Sequence, residues 1–428
     1  MHDYFTSISS MHKPKILHLS NVAGRLGGGI SEVVHALMKF QQKERIKPDL
    51  WFLGTKSDES EIAIDNKIDL SLITSLNIKA FINPFFLFRQ KKRVKKYCLI
   101  HQHGLFLPIS LLSKSIDKKI KVIISPHGFL EPEKMLVSPF KKRLALRFFE
   151  KKNITNASGL MACSLKEARS LRKYGIAQPI AIVPNGVAPS FLRKKLASNI
   201  NSSFKKKYNI NEKSKVLLFL SRIHPFKGLD LFINSITAVA DGFRASQWVF
   251  VIAGIDELNH EAELKQKVLE NGLGDIVRFI GPQYGDDKLE ALDSADCFIL
   301  PSKGENFGIV VIEALARGVP VIATQSTPWN ELTSLGCGWW VQRSIPSFIS
   351  VLNELFVTDR TSLIQMGLNG TKLVDDKYTW PMISQQTVNF YSWVLSDFAD
   401  ELKQGFNLLE DFDQTQPQDH LLHSIDGY

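Results

Sequence analysis

Two sets of short apolar segments, separated by stretches with helical spacing, recur along this sequence. The first set is residues 15–20, 49–53, 98–102, 121–125, 159–163 and 180–183. The second set is residues 215–220, 248–253, 277–280, 297–300, 319–323 and 339–341. Apolar runs of this length that alternate with helices indicate parallel sheets covered by helices on both faces. The chain is therefore expected to form two doubly wound α/β domains.

The length and composition agree with that expectation. A chain of 428 residues with 44% hydrophobic and 22% charged residues is typical of a globular protein with two domains. No run of about 18 apolar residues is present, so no membrane-spanning helix is expected. The polar first twelve residues do not resemble a signal peptide, and the four cysteines are far apart, which predicts reduced thiols in a cytoplasmic protein.

The net charge of +10 is distributed unevenly. Residues 79–152 contain 18 Lys and Arg against 4 Asp and Glu, which gives this block a charge of +14. Residues 396–428 contain 8 acidic residues and one lysine, which gives −7. A basic block of this kind indicates an anionic partner, namely a membrane surface, a nucleic acid or an acidic glycan.

The segment from Leu300 to Ala316 has the pattern of an anion site. A buried strand breaks at Pro301 and Gly304, and a helix is predicted to begin near Gly308. The unpaired N–H groups of such a helix N-terminus bind phosphate, with the positive end of the helix dipole behind them. The backbone amides of three residues are the candidate phosphate ligands: Phe307, Gly308 and Ile309.

Two carboxylates flank these amides. Glu305 lies in the loop and Glu313 about one turn into the helix. Carboxylates repel phosphate but accept hydrogen bonds from sugar hydroxyls, so the combination predicts a nucleotide-sugar site. Taken alone, the spacing favours the plainer interpretation of one loop glutamate and one solvated helix glutamate.

The Glu-x7-Glu motif from Glu305 to Glu313 resembles the retaining glycosyltransferases of family 4, which have the GT-B fold. Further landmarks of that family follow in the same order, including Ser125-Pro-His-Gly-Phe-Leu-Glu-Pro, Val183-Pro-Asn-Gly-Val187 and an Arg-x4-Lys-Gly motif. The resemblance covers about residues 15–395. It implies two Rossmann-like doubly wound domains that face each other across a cleft.

The expected domain limits follow from the patterns and the resemblance together. A flexible N-terminus, 1–14, precedes an acceptor-side domain, 15–187, to which a C-terminal helix, 379–395, returns. A polar, lysine-rich linker region, 188–214, leads into the nucleotide-sugar-binding domain, 215–378. The acidic tail, 396–428, is expected to be flexible.

Two groups in the first domain are candidate site residues. A glycine loop, Gly27, Gly28 and Gly29, joins the first strand to a helix and would close over the donor phosphates, if it is not simply a flexible turn. Two histidines at strand ends, His103 and His127, each precede a glycine. A glutamine separates His101 from His103 and no acidic partner is near, so no metal site is predicted.

The family resemblance places His127 against the donor sugar and His103 nearer the acceptor. Glu131 either touches an acceptor or is a solvated loop carboxylate.

In the second domain, Arg222 and Lys227 follow the first strand. Two cations beside helix N–H groups neutralise the charge that develops on a leaving diphosphate, although both could simply be surface cations of a basic protein. Gly254 ends the next strand, where the absence of a side chain lets a ligand approach the backbone. The resemblance implies that the residues at the site of catalysis are His127, Arg222, Lys227 and Glu305.

The sequence therefore predicts a retaining glycosyltransferase that moves a sugar from a UDP- or GDP-sugar to a saccharide or lipid-linked acceptor, in the synthesis of surface polysaccharide or lipopolysaccharide. No metal and no cofactor are expected. A nucleotide-sugar epimerase, a phosphorylase or a basic nucleic-acid-binding protein are the alternatives, although no nucleic-acid-binding pattern is evident.

A basic and aromatic segment, Phe81 to Lys96, sets four phenylalanines beside six cations. Pro84 is predicted to open a helix there. A second segment of this type, Lys141 to Phe149, lies in the same domain. Either the aromatics fill the core below a solvated basic face, or the two segments contact an anionic membrane from the cytoplasmic side.

Overall fold

The computed structural model describes residues 14–21, 28–44, 46–66, 68–106, 108–114, 116–117, 119–136, 138–192 and 199–409. The chain divides into two compact units. Unit 1 comprises residues up to Asn185 and those from Trp380 onward, and unit 2 comprises Gly186–Thr379. Each unit is built on one sheet with helices, so the predicted fold class is confirmed.

Unit 1 contains an eight-stranded sheet. Its strands are β1 (Lys15–Ser20), β2 (Lys47–Leu53), β3 (Ile73–Leu76), β4 (Leu99–His103), β5 (Lys121–Ser125), β6 (Gly159–Ala162), β7 (Ile180–Ile182) and β14 (Asn407–Leu408). Their order across the sheet is β14-β7-β6-β5-β4-β1-β2-β3. All neighbours are parallel except β14, which runs antiparallel to β7.

The helices of unit 1 are α1 (Gly28–Lys43), α2 (Lys56–Asn66), α3 (Pro84–Val94), α4 (Ile109–Ser113), α5 (Pro132–Met135), α6 (Pro139–Ala145), α7 (Lys151–Asn156), α8 (Leu165–Lys173) and α18 (Trp380–Leu395). A π-helical turn, Leu146–Glu150, joins α6 to α7, and 3-10 turns are formed by Leu70–Leu72, Ile78–Ile82 and Asp400–Leu402. Helix α18 packs on α1, so the last long helix belongs to the first unit.

Unit 2 contains a six-stranded parallel sheet. Its strands are β8 (Lys215–Leu220), β9 (Trp248–Ala253), β10 (Val277–Gly281), β11 (Cys297–Leu300), β12 (Val321–Thr324) and β13 (Gly338–Val341). Their order is β10-β9-β8-β11-β12-β13. The central strands are completely buried, as their continuous apolar runs predict.

The helices of unit 2 are α9 (Asn199–Lys207), α10 (Leu229–Ala238), α11 (Ala240–Ala245), α12 (His260–Glu270), α13 (Gly285–Asp293), α14 (Ile309–Ala316), α15 (Glu331–Ser334), α16 (Ile345–Val357) and α17 (Arg360–Lys377). A 3-10 turn, Pro225–Lys227, follows β8. No helix in the described part of the chain is long and apolar enough to cross a membrane.

The strand order reverses once in each sheet. In unit 1 the chain moves from β1 outward to β3 and then returns to β4 on the other side of β1. In unit 2 it moves from β8 outward to β10 and returns to β11 beside β8. Ligands of doubly wound sheets bind outside the carboxyl ends of the strands at such a reversal. The ends of β1 and β4, and those of β8 and β11, are therefore the places to look for sites.

Two expectations about the connecting segments are wrong. The predicted linker region contains α9, which packs on α13 of unit 2 because Phe204 is completely buried. The predicted flexible tail is ordered as far as Leu409. Phe406 lies against Phe390 and Trp393, and β14 adds an edge strand to the sheet of unit 1. Apolar side chains within polar segments account for both differences. Residues 410–428 and 1–13 lie outside the described residues.

Candidate active site

In unit 2, the loops after β8 and β11 come into direct contact at a glycine. Gly228 has a left-handed backbone with φ of 76°, and a Cβ atom there would lie 2.2 Å from the carbonyl oxygen of Pro301. The Lys303 N–H donates to the Phe226 carbonyl at 2.9 Å. Only glycine allows so close an approach of two backbones. The contact brings Lys227 of one loop to Glu305 of the other.

Lys227 and Glu305 form an ion pair with Nζ and Oε1 2.6 Å apart. The side chains are only 12% and 14% exposed, so water screens the pair weakly. The Ser302 hydroxyl donates to the same carboxylate oxygen at 2.7 Å. The structure thus joins two of the predicted site residues at the strand-order reversal.

Helix α14 begins beside this pair. Gly308 is its N-cap, with φ of 82°, and the first N–H groups of the helix lack acceptors within the helix itself. Phe307 is buried in a cluster with the rings of Trp329 and Tyr378, which also contact each other. The Trp329 indole N–H donates to the Phe307 carbonyl at 2.5 Å. The ring contacts and this hydrogen bond hold the backbone that leads to the amides of Gly308 and Ile309.

Glu313 lies on α14 and is almost completely buried. Its Oε1 accepts a hydrogen bond from Lys288 Nζ on α13 at 2.7 Å. The interpretation of Glu313 as a solvated helix glutamate is therefore wrong. A carboxylate has about four acceptor positions, so the bond to Lys288 leaves capacity for hydroxyl groups.

The two remaining candidates of unit 2 lie at the ends of β8 and β9. Arg222 is more than half exposed and forms an ion pair with Glu257, with atoms 2.9 Å apart. A Cβ atom on Gly254 would lie 1.8 Å from the Ser221 carbonyl oxygen. The close approach of neighbouring backbone is therefore sufficient to explain this glycine, whether or not a ligand also approaches it.

In unit 1, His127 lies in a tight turn after β5. His127 and Gly128 have φ values of 52° and 76°, and a left-handed backbone is uncommon for a residue with a side chain. The Gly128 N–H donates to Glu167 Oε1 at 2.5 Å, which holds the turn. The turn borders a small cavity lined by Val33, Leu37, Ser125, His127, Met161, Cys163, Val183, Pro184, Asn185, Trp380, Ile383 and Thr387.

His127 belongs to a cluster of four histidines: His18 lies within β1, His101 and His103 lie on β4, and His127 follows β5. Its Nε2 lies 3.1 Å from His103 Nδ1, and His103 Nε2 lies 3.0 Å from His18 Nδ1. The other nitrogen of His18 lies 2.9 Å from Gln41 Oε1. His101 bonds separately to the Tyr391 hydroxyl at 2.6 Å and to Ser125 Oγ at 2.7 Å.

Burial keeps these histidines neutral. Loss of hydration lowers the pKa of His18 and of His127 to about 4. It also holds the pKa of His101 and of His103 well below the usual range, and the neighbouring histidines add repulsion between positive charges. At neutral pH each ring therefore carries one N–H and one lone pair.

Among the described residues, three members of the cluster have nitrogens within 4.8 Å of one another, as metal ligands do: His18, His101 and His103. However, the ring nitrogens of His18 and His103 face each other as a hydrogen bond, and both nitrogens of His101 have partners. The cluster is satisfied by its own hydrogen bonds without an ion.

The remaining candidates of unit 1 are the three glycines and Glu131. Gly28 and Gly29 form the first residues of α1, whereas Gly27 lies outside the described residues. Glu131 is buried, with Lys166 Nζ 3.4 Å from its Oε2, so the interpretation as a solvated loop carboxylate is wrong.

Sequence reasoning missed the residues that support these sites. Lys288, Glu257 and Trp329 act through neighbours that are distant in the chain, and Ser302, although only three residues from Glu305, belongs to no recognisable motif. His18 and His101 did carry a signal. They lie opposite each other on the adjacent strands β1 and β4, in register, and a buried histidine in an apolar strand needs partners.

Comparison with protein families gives two matches. The model described as Glycosyltransferase Family 4 matches residues 27–191, and the model described as Glycosyl transferases group 1 matches residues 201–366. Together they cover most of both units.

Individual relatives agree with these families. An uncharacterised glycosyltransferase of Methanocaldococcus jannaschii is 27% identical over 50% of this chain and 53% of its own length. The lipopolysaccharide core biosynthesis mannosyltransferase LpsB of Rhizobium meliloti is 34% identical over 31% of this chain and 37% of its own length. The aligned parts thus span about half of these relatives or less.

Solved structures of glycosyltransferases share the fold. HepE of Anabaena, solved with UDP and glucose, superposes with a TM-score of 0.71 at 17% identity, covering 89% of this chain and 99% of HepE. WaaG, a glycosyltransferase involved in lipopolysaccharide biosynthesis, superposes with a TM-score of 0.64 at 16% identity, covering 89% and 99% of the two chains. With two Rossmann-like units of this class and family models matching both, the chain belongs to glycosyltransferase family 4 and has a GT-B fold.

Proposed function

We propose that this protein is a retaining glycosyltransferase that uses a nucleotide-diphosphate sugar. The observation that carries the proposal is the group at the strand-order reversal of unit 2. There Lys227, Glu305 and the N-terminus of α14 combine a cation, a hydroxyl acceptor and phosphate-binding amides. A diphosphate linked to a sugar requires these three kinds of group together.

In the proposed complex the diphosphate lies at the N-terminus of α14. The amides of Phe307, Gly308 and Ile309 donate to its oxygens, and Lys227 and Arg222 supply positive charge. Arg222 must turn from Glu257 towards the diphosphate. An exposed ion pair contributes little free energy, so this change is inexpensive.

The carboxylates of Glu313 and Glu305 bind the hydroxyl groups of the ribose and of the transferred sugar. Glu313 accepts hydrogen bonds from the ribose hydroxyls while Lys288 fixes its orientation. Glu305 accepts from the transferred sugar, and the family resemblance assigns the glycine loop to the donor phosphates. His127 accepts a hydroxyl hydrogen of the donor sugar, and His103 and Glu131 lie on the acceptor side. These roles follow the family resemblance.

The proposed reaction is a displacement on one face of the sugar. The bond from the anomeric carbon to the diphosphate oxygen breaks, and the bond to the acceptor oxygen forms on the same face. The proton of the acceptor hydroxyl passes to the departing phosphate oxygen, so no protein nucleophile takes part. Lys227 and the amides of α14 stabilise the negative charge that grows on the diphosphate.

Thermal shift with a panel of UDP- and GDP-sugars tests the donor class. We expect at least one nucleotide sugar to raise the melting temperature and the Glu313→Gln variant to lose that shift. Glu290→Gln, on the neighbouring helix α13, is the control. Donor isomerised without acceptor would instead identify an epimerase, use of a sugar phosphate as donor would identify a phosphorylase, and stabilisation by RNA but by no nucleotide sugar would reject the proposal.

We further propose that the acceptor is a lipid-linked saccharide at an anionic membrane. This proposal rests on apolar side chains that are exposed beside cations on unit 1. Phe140, Leu144 and Phe148 are exposed at a spacing of four residues along α6 and the π-helical turn, so they share one helix face. Phe85 on α3 is 81% exposed.

The two aromatic segments are neighbours, because α3 and the π-helical turn both pack against α4. Phe86 and Leu87 pack against the core, so the interpretation of the aromatics as core residues holds only for part of α3. The surrounding cations suit anionic lipid head groups, at about 1 kcal/mol each. These cations are Arg89, Lys91, Lys92, Lys95, Lys141, Arg143 and Arg147.

Cosedimentation with liposomes containing anionic phosphatidylglycerol tests the membrane contact. We expect binding that weakens as salt increases, and loss of most of it on changing Arg89, Lys91, Lys92 and Lys95 to Gln. Arg93 and Lys96 are left intact because they contact Trp51 and Asp49. The control changes two exposed leucines of unit 2, Leu258 and Leu269, to Ser. Equal binding by the charge variant would reject the contact.

A further inference from the structure

The hydrogen-bond chain that ends at His127 begins at an amide. Gln41 on α1 is completely buried, and its Oε1 lies 2.9 Å from His18 Nε2. From His18 the chain continues through His103 to His127, with separations of 3.0 and 3.1 Å. The Gln41 amide nitrogen lies 3.4 Å from the Tyr391 hydroxyl, and donates to it. The two ends of one amide thus serve two different partners.

The proton positions along this chain follow from its first bond. The carbonyl oxygen of Gln41 only accepts, so His18 Nε2 must carry the proton and His18 Nδ1 must carry the lone pair. His103 Nε2 then donates to His18, which leaves the lone pair of His103 on Nδ1. His127 Nε2 must in turn donate to His103. The lone pair of His127 is therefore on Nδ1, the ring nitrogen that remains for a ligand.

We propose that Gln41 is a positioning residue that, through His18 and His103, fixes His127 in the Nε2–H tautomer so that Nδ1 accepts a hydroxyl hydrogen from the bound sugar. The identity of the ligand rests on the proposed function, whereas the tautomer does not. His127 lines the cavity of unit 1.

The consequence is selectivity for a ligand group that donates a hydrogen bond to His127 Nδ1. An Nδ1 lone pair accepts from a sugar hydroxyl but gains nothing from a fluorine or hydrogen at the same position. A single isolated histidine could exchange its tautomer to suit either kind of ligand. A histidine held by three successive hydrogen bonds, the first two of them buried, exchanges only if the whole chain reverses.

Nitrogen-15 NMR of the ring nitrogens tests the tautomer in the unaltered protein. We expect His18, His103 and His127 all to show a protonated Nε2 and an unprotonated Nδ1. His260 is an internal reference of the opposite kind, because its Nδ1 lies 3.0 Å from Glu263 Oε2 and must donate. A protonated Nδ1 on His127, or different tautomers among the three histidines, would overturn the proposal. No variant is needed for this measurement.

Two matched variants test the part played by Gln41. Gln41→Leu removes the acceptor that sets the chain, and we expect a mixture of tautomers at His127 in its spectrum. Gln102→Leu replaces another completely buried glutamine of unit 1, which bonds to the Gly104 carbonyl and Ser110 instead. The Gln102→Leu control should have a lower melting temperature but keep the tautomer of His127. The same spectral change in both variants would reduce Gln41 to a packing role and overturn the proposal.

The ligand is tested with UDP-glucose and GDP-mannose and their deoxyfluoro analogues. Loss of one hydrogen bond between neutral groups should raise KM about three- to tenfold for the analogue fluorinated at the contacted hydroxyl. That penalty should shrink in Gln41→Leu, with kcat changed less than KM. An equal penalty in both proteins would overturn the proposed role. If no member of the panel of UDP- and GDP-sugars binds, the proposed function fails, while the NMR result still decides the tautomer.

Discussion

Lys227→Met isolates the cation at the centre of the proposed donor site. The methionine side chain retains most of the length of lysine but removes the charge beside Glu305. At a separation of 2.6 Å and an effective dielectric constant of about 20, the direct attraction is roughly 6 kcal/mol. The cost of removing both charges from water offsets most of that attraction.

The net loss in stability should therefore be smaller. A hydrogen bond to a charged group contributes about 1.5–3 kcal/mol, and Glu305 retains the bond from Ser302 in the variant. We expect unit 2 to unfold at a temperature roughly 3–10 °C lower, with the fold intact. Differential scanning calorimetry measures this change.

The loss in rate should be larger than the loss in stability. A fixed donor aimed at charge that develops in the transition state contributes about 100- to 1000-fold to kcat. Initial rates at saturating donor should fall by that factor, while the donor KM changes less. A higher KM with an unchanged kcat would show that Lys227 only binds the ground state.

A double-mutant cycle with Glu305→Gln separates two explanations for a slower variant. If Lys227 contacts the diphosphate, Lys227→Met should reduce kcat further in the Glu305→Gln background. No further reduction in that background would show that Lys227 acts only by holding Glu305, and would refute the reasoning. Lys207→Met removes another ion-paired lysine of unit 2, partner to Asp287, and should leave kcat unchanged.

Glu313→Gln should weaken donor binding roughly tenfold or more, since each bond from a ribose hydroxyl to the carboxylate contributes about 1.5–3 kcal/mol. Isothermal titration with the donor measures the affinity, and a near-normal affinity would exclude the ribose role. Glu257→Gln should release Arg222 and lower the donor KM by at most about fivefold, and an increased KM would contradict this view of the ion pair. Gly254→Ala should reduce the free energy of unfolding by about 1–3 kcal/mol in denaturant titrations, because its Cβ would meet the Ser221 carbonyl. The pKa of His18 is lowered in the folded state, so the unfolded chain binds a proton at a higher pH than the folded chain does. The free energy of unfolding should therefore decrease as the pH is lowered from about 6.5 to about 4, by about 1.4 kcal/mol per pH unit for this residue. Equal free energies of unfolding at pH 7 and pH 5 would contradict the last prediction.

The strands that sequence patterns mark most clearly are those buried on both faces. Continuous apolar runs of four to six residues mark β8, β9 and β11, where no alternative placement avoids exposing them. The strands that patterns missed lie at the sheet edges. Ile73–Leu76 alternates weakly, and Asn407–Leu408 is two residues long within an acidic segment, so packing against the existing sheet decides both.

The candidate site of unit 2 was predictable to the extent that its parts are local. A glycine that ends a strand-to-helix loop, with a carboxylate on each side, is visible in nine successive residues. The partners of those carboxylates are not visible. Lys288 reaches Glu313 from another helix, and Lys227 reaches Glu305 across 78 positions of the chain.

The sequence alone therefore determined the two α/β units, the helix N-terminus that is proposed to bind the diphosphate, and the family, because each depends on hydrophobic period or on residues close together in the chain. Only the tertiary structure decided which charges are paired and which histidines are joined. Gly228 permits one backbone contact between two loops, and the reversals of strand order place β1 beside β4 and β8 beside β11. Those contacts bring His18 to His103 and Lys227 to Glu305, and no local pattern specifies a contact between residues that far apart in the chain.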